Sequence, residues 1–313
     1  MYITLAVLLA TFGVIMLSVE DDEDDETDGE ITGTSGADEI SGTDGDDIIR
    51  TWAGDDIIDG GAGDDEIRPG EGDDVVYGGD GRDWIIGSPG NDELYGQVGG
   101  DRVFGGDGDD FIDGGYGSDR LGGQDGDDTI FGGYDSRDEG GVIVPALQAT
   151  DTITGGEGDD TIYIWGGDGT ADGEDGSDNL VLVTGSASLT AGAGDGDDFY
   201  VLANVTDDQL TSATIEDFDP GRDTLTLTLD HVPEGGTLPD VDVTMTQTTV
   251  DGVNGVLVEA VYTGSGDVPG DFEGAVAFLK GVTTDQLDAT NVSVVSTEEA
   301  DLFDAEATMA AIA

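Results

Sequence analysis

An all-β solenoid is the fold class that this sequence predicts, and three observations predict it. A nine-residue unit repeats without a gap from residue 33 to residue 131, and a fixed period of this kind marks stacked architectures. One position of each unit is always aliphatic, so each short strand can send one such side chain inward. After the array, residues 223–229 (DTLTLTL), 241–250 (VDVTMTQTTV) and 256–262 alternate with period two, the pattern of half-buried strands.

The eleven units read GTSGADEIS, GTDGDDIIR, TWAGDDIID, GGAGDDEIR, PGEGDDVVY, GGDGRDWII, GSPGNDELY, GQVGGDRVF, GGDGDDFID, GGYGSDRLG and GQDGDDTIF. Their fourth residue is glycine throughout, from Gly36 to Gly126, their sixth is always aspartate, and their eighth is Ile, Val or Leu, from Ile40 to Ile130. Composition alone would allow disorder, because the chain has 73 acids against 8 Lys and Arg, a net charge of -65, and 55 glycines, and like charges oppose collapse. Register decides against disorder: a solvating spacer preserves composition, not position.

Outside the array the elements follow in order. Residues 2–19 are an uncharged, mostly apolar run whose length is near the lower limit for a helix that spans a bilayer. No Lys or Arg precedes it and Ser18-Val19-Glu20 is a poor cleavage site. The run is therefore read as one N-terminal hydrophobic helix, an uncleaved membrane anchor in preference to a signal segment. Residues 20–32 form an acidic linker of like charges. An insertion at 132–149 breaks the period before Thr150-Asp151-Thr152-Ile153 resumes it, which reads as a loop bulging from one coil. Units GGEGDDTIY from Gly155 and GEDGSDNLV from Gly173 start two periods apart, and a degenerate unit at 194–200 ends the array near Val201. Residues 202–297 are expected to form a β-rich C-terminal cap, with a turn at 251–255 (DGVNG), and residues 298–313 a loosely ordered tail.

Charge and residue inventory exclude several functions. The acid excess opposes nucleic acid and favours cations. Without cysteine there is no disulfide framework and no zinc-thiolate site. The sole histidine, His231, lies in a turn-like stretch, and neither HExxH nor GxSxG occurs, so catalysis is not expected. The catalytic alternative is a polysaccharide-modifying enzyme with a repeat module. Thr224, Thr226 and Thr228, with Thr244, Thr246 and Thr248, raise surface recognition of glycan or ice; the polar face of a two-sided strand explains them better. Trp52, Trp84 and Trp165 fall at different repeat positions and form no column.

The units resemble the RTX family, the hemolysin-type GGxGxDxUx repeat of secreted bacterial proteins. The stretch from Ile215 to Leu225 (IEDFDPGRDTL) is similar to a segment that often follows such repeats. The resemblance implies a right-handed parallel β-roll, with a six-residue turn and a three-residue strand per unit and two units per coil. It further implies calcium bound between turns two units apart, bridged by the position-six carboxylates. One side would use Asp38, Asp56, Asp74, Asp92, Asp110 and Asp128, the other Asp47, Asp65, Asp83, Asp101 and Asp119, with Asp160 and Asp178 as a further pair, for about ten ions of Ca2+. Asp217 and Asp223 are read as parts of a strand, a turn and a strand, not as another ion site. Thr51 and Pro69 replace the first glycine and Trp52, Gln97 and Gln124 the second, so sites at those units are expected to be weaker. With so thin a core, folding and ion binding are expected to be one equilibrium, at roughly 10⁻⁴ to 10⁻³ M calcium, which places the folded protein outside the cell or on its surface. The sequence names no macromolecular partner.

Overall fold

The computed structural model describes residues 16–17, 29–133, 150–192, 196–203, 211–229, 241–262, 273–288 and 290–296. The chain divides into two compact units, residues 1–161 and 162–313. No α-helix occurs among the described residues.

In the first unit the nonapeptides wind two to a coil, and every strand pairs in parallel with strands of the neighbouring coils. One face stacks Glu30–Thr32, Ile48–Ala53, Glu66–Glu71, Trp84–Pro89, Arg102–Asp107, Arg120–Asp125 and Thr152–Glu157. The other stacks Met16–Leu17, Glu39–Thr43, Ile57–Ala62, Val75–Gly81, Glu93–Gly99, Phe111–Asp113 and Thr129–Phe131. Parallel pairing in register brings equal repeat positions together, so the aliphatic eighth position becomes two columns. Ile31, Ile49, Ile67, Ile85, Val103, Leu121 and Ile153 form one, and Ile40, Ile58, Val76, Leu94, Ile112 and Ile130 the other, none more than 7% exposed.

Most strands are longer than the resemblance implies. Hydrogen-bonded pairing carries on past position nine into the next unit, as in Gly106↔Gln124 and Asp107↔Asp125. Position one is thereby drawn inside, where Thr51, Gly60, Pro69, Gly78 and Gly87 are all buried. Two prolines interrupt the rule: Glu66–Glu71 pairs with Trp84–Pro89 only at Glu66↔Trp84 and Ile67↔Ile85, since neither Pro69 nor Pro89 has an N–H to continue the ladder between them.

Position four shows why glycine is invariant. At Gly63, Gly72, Gly81, Gly90 and Gly108 a Cβ would lie within 3 Å of the position-four carbonyl of the coil before, and all five have positive φ. Successive coils stack too closely there for any side chain. Position two is less strict, since Trp52, Ser88, Gln97 and Gln124 all adopt positive φ between 73° and 90°, a conformation that costs about 1–2 kcal/mol per residue without glycine.

The insertion leaves the stacking intact. Arg120 pairs with Thr152 across it, a step of 32 residues where the other coils take 18. The outer face of the second stack carries rings in file: Tyr77 on Tyr95 at 5.0 Å, Tyr95 by Phe111 at 5.7 Å and Phe111 by Phe131 at 5.4 Å. Trp52 and Trp84 are exposed at different repeat positions.

The expected N-terminal helix is not what the described residues show. Of the apolar run only Met16 and Leu17 are described, and they form a two-residue strand parallel to Glu39 and Ile40. The rest of that run, most of the acidic linker, His231 and the tail lie outside the described residues. No helix among the described residues is long and apolar enough to cross a membrane.

In the second unit parallel stacking goes further than the repeats. Asn179–Thr190 pairs with both Asp198–Ala203 and Ser212–Ile215, and Asp198–Ala203 with Thr224–Leu229. These continue to Glu273–Lys280 and Val292–Ser296. The region expected as a cap thus continues the ladder, because its period-two alternation still buries Leu225, Leu227 and Leu279. Antiparallel pairing enters with Val241–Val250 and Val253–Tyr262, joined by Asp251 and Gly252 at φ of 50° and 84°, the positive-φ pair that a two-residue hairpin turn requires.

Truncation of a column residue tests the importance of so narrow a core. Leu94→Ala is expected to lower stability by about 2–5 kcal/mol, and Val98→Ala, 39% exposed, by under about 0.5 kcal/mol. Urea unfolding of the calcium-loaded protein measures both.

Candidate metal centre

Every position-six aspartate of the array is buried, although each carries a carboxylate in a chain of high negative charge. Asp38 to Asp128, with Asp160 and Asp178, are all 4% exposed or less. Burying ionisable groups is unfavourable unless something binds them, and half of the answer lies in the backbone. From Asp56 to Asp128 the Oδ1 of each aspartate accepts the N–H of the aspartate one coil earlier: Asp56 from Asp38 (2.7 Å), Asp65 from Asp47 (2.8 Å), Asp92 from Asp74 (2.8 Å) and Asp128 from Asp110 (2.8 Å). The position-six carbonyls accept from position seven of the next coil, as in Ile57 to Asp38 at 2.9 Å and Val75 to Asp56 at 2.9 Å. The aspartates are therefore tied into two files, one for each side of the roll.

The other carboxylate oxygen is left over. Among the described residues, the Oδ2 atoms of Asp56, Asp65, Asp74, Asp83, Asp92, Asp101, Asp110, Asp119 and Asp128 are buried with no hydrogen-bond partner. Each points at the space beside the first residue of its own unit. At Gly60, Gly78, Gly87, Gly96, Gly105 and Gly114 a Cβ would lie within 3 Å both of that Oδ2 and of the position-one carbonyl oxygen of the next coil. Gly173 repeats the arrangement with Asp178 Oδ2 and the Ala191 carbonyl. The glycine thus leaves an oxygen-walled cradle, supplied by two coils and empty of carbon.

Burial pushes these carboxyls up. Desolvation is the main cause throughout, with neighbouring carboxylates adding to it and the backbone N–H bond opposing it. Asp65, Asp74 and Asp101 are raised to about 7, Asp83, Asp92 and Asp128 to about 6, and Asp110 and Asp119 to about 8. Such groups resist ionisation until a cation joins them.

Two of the expected ligands differ from the rest. The Oδ2 of Asp38 accepts from the Thr34 N–H at 2.5 Å and its hydroxyl at 3.0 Å, and that of Asp47 from the Thr43 N–H at 2.7 Å and its hydroxyl at 2.9 Å. Threonine at position two thus supplies donors to the first two aspartates. Two members of the files escaped the sequence reading. Asp151 accepts from Asp119 N–H at 3.0 Å, as Asp160 does from Asp128 at 2.8 Å, both across the 32-residue step. Asp197 accepts from Asp178 N–H at 3.0 Å across 19 residues. The signal for Asp151 was the tail of a unit, Asp-Thr-Ile, with its glycines replaced. Asp217 accepts from the N–H groups of Ala191 and Gly192, and Asp223 from Asp197 and Asp219, so all four carboxylate oxygens serve the backbone, and Asp223 continues the file beyond Asp197.

A separate file of position-five residues runs along the solvent edge, where Asp73 Oδ1 accepts from Asn91 N–H at 2.9 Å and Asp109 Oδ1 from Asp127 at 3.0 Å. Among the described residues no three acidic or histidine side chains converge on one point. Any ion here would therefore draw much of its shell from carbonyl oxygen, which suits a hard cation with six to eight oxygen ligands.

A family comparison agrees with this geometry. The RTX calcium-binding nonapeptide repeat matches in four copies, at residues 32–67, 69–103, 104–133 and 148–171. The array is an RTX calcium-binding repeat. Its fourth copy begins beyond most of the insertion, where Asp151 rejoins its file. No curated protein matches the chain. Among solved structures, the crystal structure of the extracellular lipase LipA from Serratia marcescens is similar at 18% identity and a TM-score of 0.20, over 82% of this chain and 40% of that one. The chain thus spans well under half of that protein's length.

The raised carboxyls set a pH dependence for the metal-free RTX array. Their folded pKa values, about 6 to 8, exceed the unfolded value of about 3.9, so folding takes up protons. The resulting destabilisation is absent below about pH 4, grows as pH rises toward the folded values and is complete above about pH 8. Circular dichroism in chelator is expected to show more β-structure near pH 4.5 than at pH 8; loss of β-structure on that acidification would contradict the assignment.

Proposed function

We propose that this chain is a calcium-dependent structural or interaction module that folds outside the cell when it meets calcium. The observation that carries the reading is the pair of files of buried Oδ2 atoms, six of which, from Asp65 to Asp119, face a glycine cradle and a carbonyl from the next coil. The ligand set comprises Asp65, Asp83, Asp92, Asp101, Asp110, Asp119 and Asp128, with Asp160 and Asp178 from the sequence and Asp151 and Asp197 from the stacking; Asp38, Asp47, Asp56 and Asp74, which the sequence also names, face no open glycine cradle or already bond threonine through Oδ2. A bound calcium supplies two positive charges between coils that otherwise repel; the chain supplies one carboxylate oxygen and one carbonyl per coil contact. The remaining ligands come from the same turns.

Placement outside the cell follows from affinity. Sites of this kind hold calcium at roughly 10⁻⁴ to 10⁻³ M, so a calcium-poor cytosol would leave the chain unfolded and free to be exported. A second reading, recognition of glycans by the loaded roll, is favoured by the file of Tyr77, Tyr95 and Phe111 on one outer face.

Calcium titration followed by far-ultraviolet circular dichroism and calorimetry tests the main reading. The expected result is a cooperative gain of β-structure with several ions taken up and little response to magnesium; an apo chain already folded and indifferent to calcium would end it. Asp110→Ala is expected to remove about one site, the Gly105 cradle that its Oδ2 walls, whereas Asp55→Ala on the exposed edge removes none.

A further inference from the structure

The cradles differ between the two sides of the roll. On one side position one is glycine in successive coils, at Gly42, Gly60, Gly78, Gly96 and Gly114; on the other it reads Gly33, Thr51, Pro69, Gly87, Gly105 and Gly123. Thr51 is fully buried. Its hydroxyl donates to the Pro69 carbonyl at 2.6 Å and lies beside the Asp56 carboxylate. These are the two oxygens that wall the cradle in the glycine units. The threonine side chain therefore occupies the cradle and already binds its carbonyl.

Pro69 does the same in the next coil by simpler means. Proline carries the Cβ that glycine lacks, at the position where, in the glycine units, a Cβ would lie within 3 Å of the position-six Oδ2; the corresponding Oδ2, of Asp74, has no hydrogen-bond partner. In the coil before, the space beside Gly33 is met by the Thr51 methyl at 2.8 Å and by Asp38 Oδ2 at 2.6 Å, and that oxygen is bonded to Thr34. Three consecutive cradles on one side are thus closed by protein atoms. On the opposite side only the first departs, where Asp47 Oδ2 is bonded to Thr43.

We infer that Thr51 and Pro69 are built-in plugs, side chains that take the place of the ion in two consecutive coils, so that one side of the array carries calcium only from the Gly87 cradle onward. The inference rests on the calcium reading above. The hydroxyl-to-carbonyl bond between Thr51 and Pro69 is a coil-to-coil tie that needs no metal. The early coils on that side are therefore held by protein contacts, and the later ones by ions.

The test is a count of bound calcium per full-length chain, by native mass spectrometry and equilibrium dialysis at saturating calcium. Thr51→Gly and Pro69→Gly are each expected to add about one ion, and the double variant about two. A double variant that folds with the wild-type circular dichroism spectrum and the wild-type count overturns the inference. A wild-type chain that takes up no calcium fails the calcium reading instead, which separates the two. If the glycine variants do not fold, Gly60→Thr on the opposite side is measured: a folded chain with about one ion fewer supports the inference, and an unchanged count overturns it.

Discussion

A buried carboxylate with one oxygen committed and one left over is the constraint on which the rest of the array depends. Oδ1 of each position-six aspartate fixes the backbone of the preceding coil, so stacking and ligand placement come from the same side chain. Oδ2 is then held in a dry turn beside like-charged neighbours, with desolvation pushing the carboxyl toward its neutral form. Drawing the coils together creates the unsatisfied oxygens that a cation would satisfy.

The aliphatic columns supply the rest of the cohesion, and their narrowness explains the division of labour. One residue per strand, such as Ile58 or Leu94, is fully buried on each face, and the remaining positions are turn, cradle or solvent. Glycine serves two different purposes in the turn. At position four it permits coil-to-coil approach, and at position one it leaves the oxygen-walled space. The first role tolerates no substitution in eleven units; the second is relaxed at Thr51 and Pro69. That contrast separates a steric requirement of the fold from a requirement of the ligand.

Some features were legible in the sequence because they repeat locally. The invariant Gly, Asp and aliphatic positions gave register, the resemblance to the RTX family implied the two files of aspartates and calcium, and the turn expected at 251–255 narrows to Asp251-Gly252. Asp151 was missed as a member of its file because its unit had lost its glycines, and Asp197 because it stands out of step with the two-unit period. The ladder runs past Val201 for a related reason: the repeat signature ends there, but alternating strands such as Ser212–Ile215 and Thr224–Leu229 continue the parallel pairing without it.

What the sequence determined by itself, then, was the repeating turn and its inward aliphatic position, since each follows from nine adjacent residues; calcium came with the family those residues resemble. Tertiary structure decided which oxygens stay unsatisfied. Thr34 reaches Asp38 within its own turn, but Thr51 meets Pro69 only because the chain returns one coil later, and Asp119 meets Asp151 only because the insertion closes back on the same file after 32 residues. Contacts across coils depend on where the chain returns, and the return is set by stacking rather than by the repeat itself.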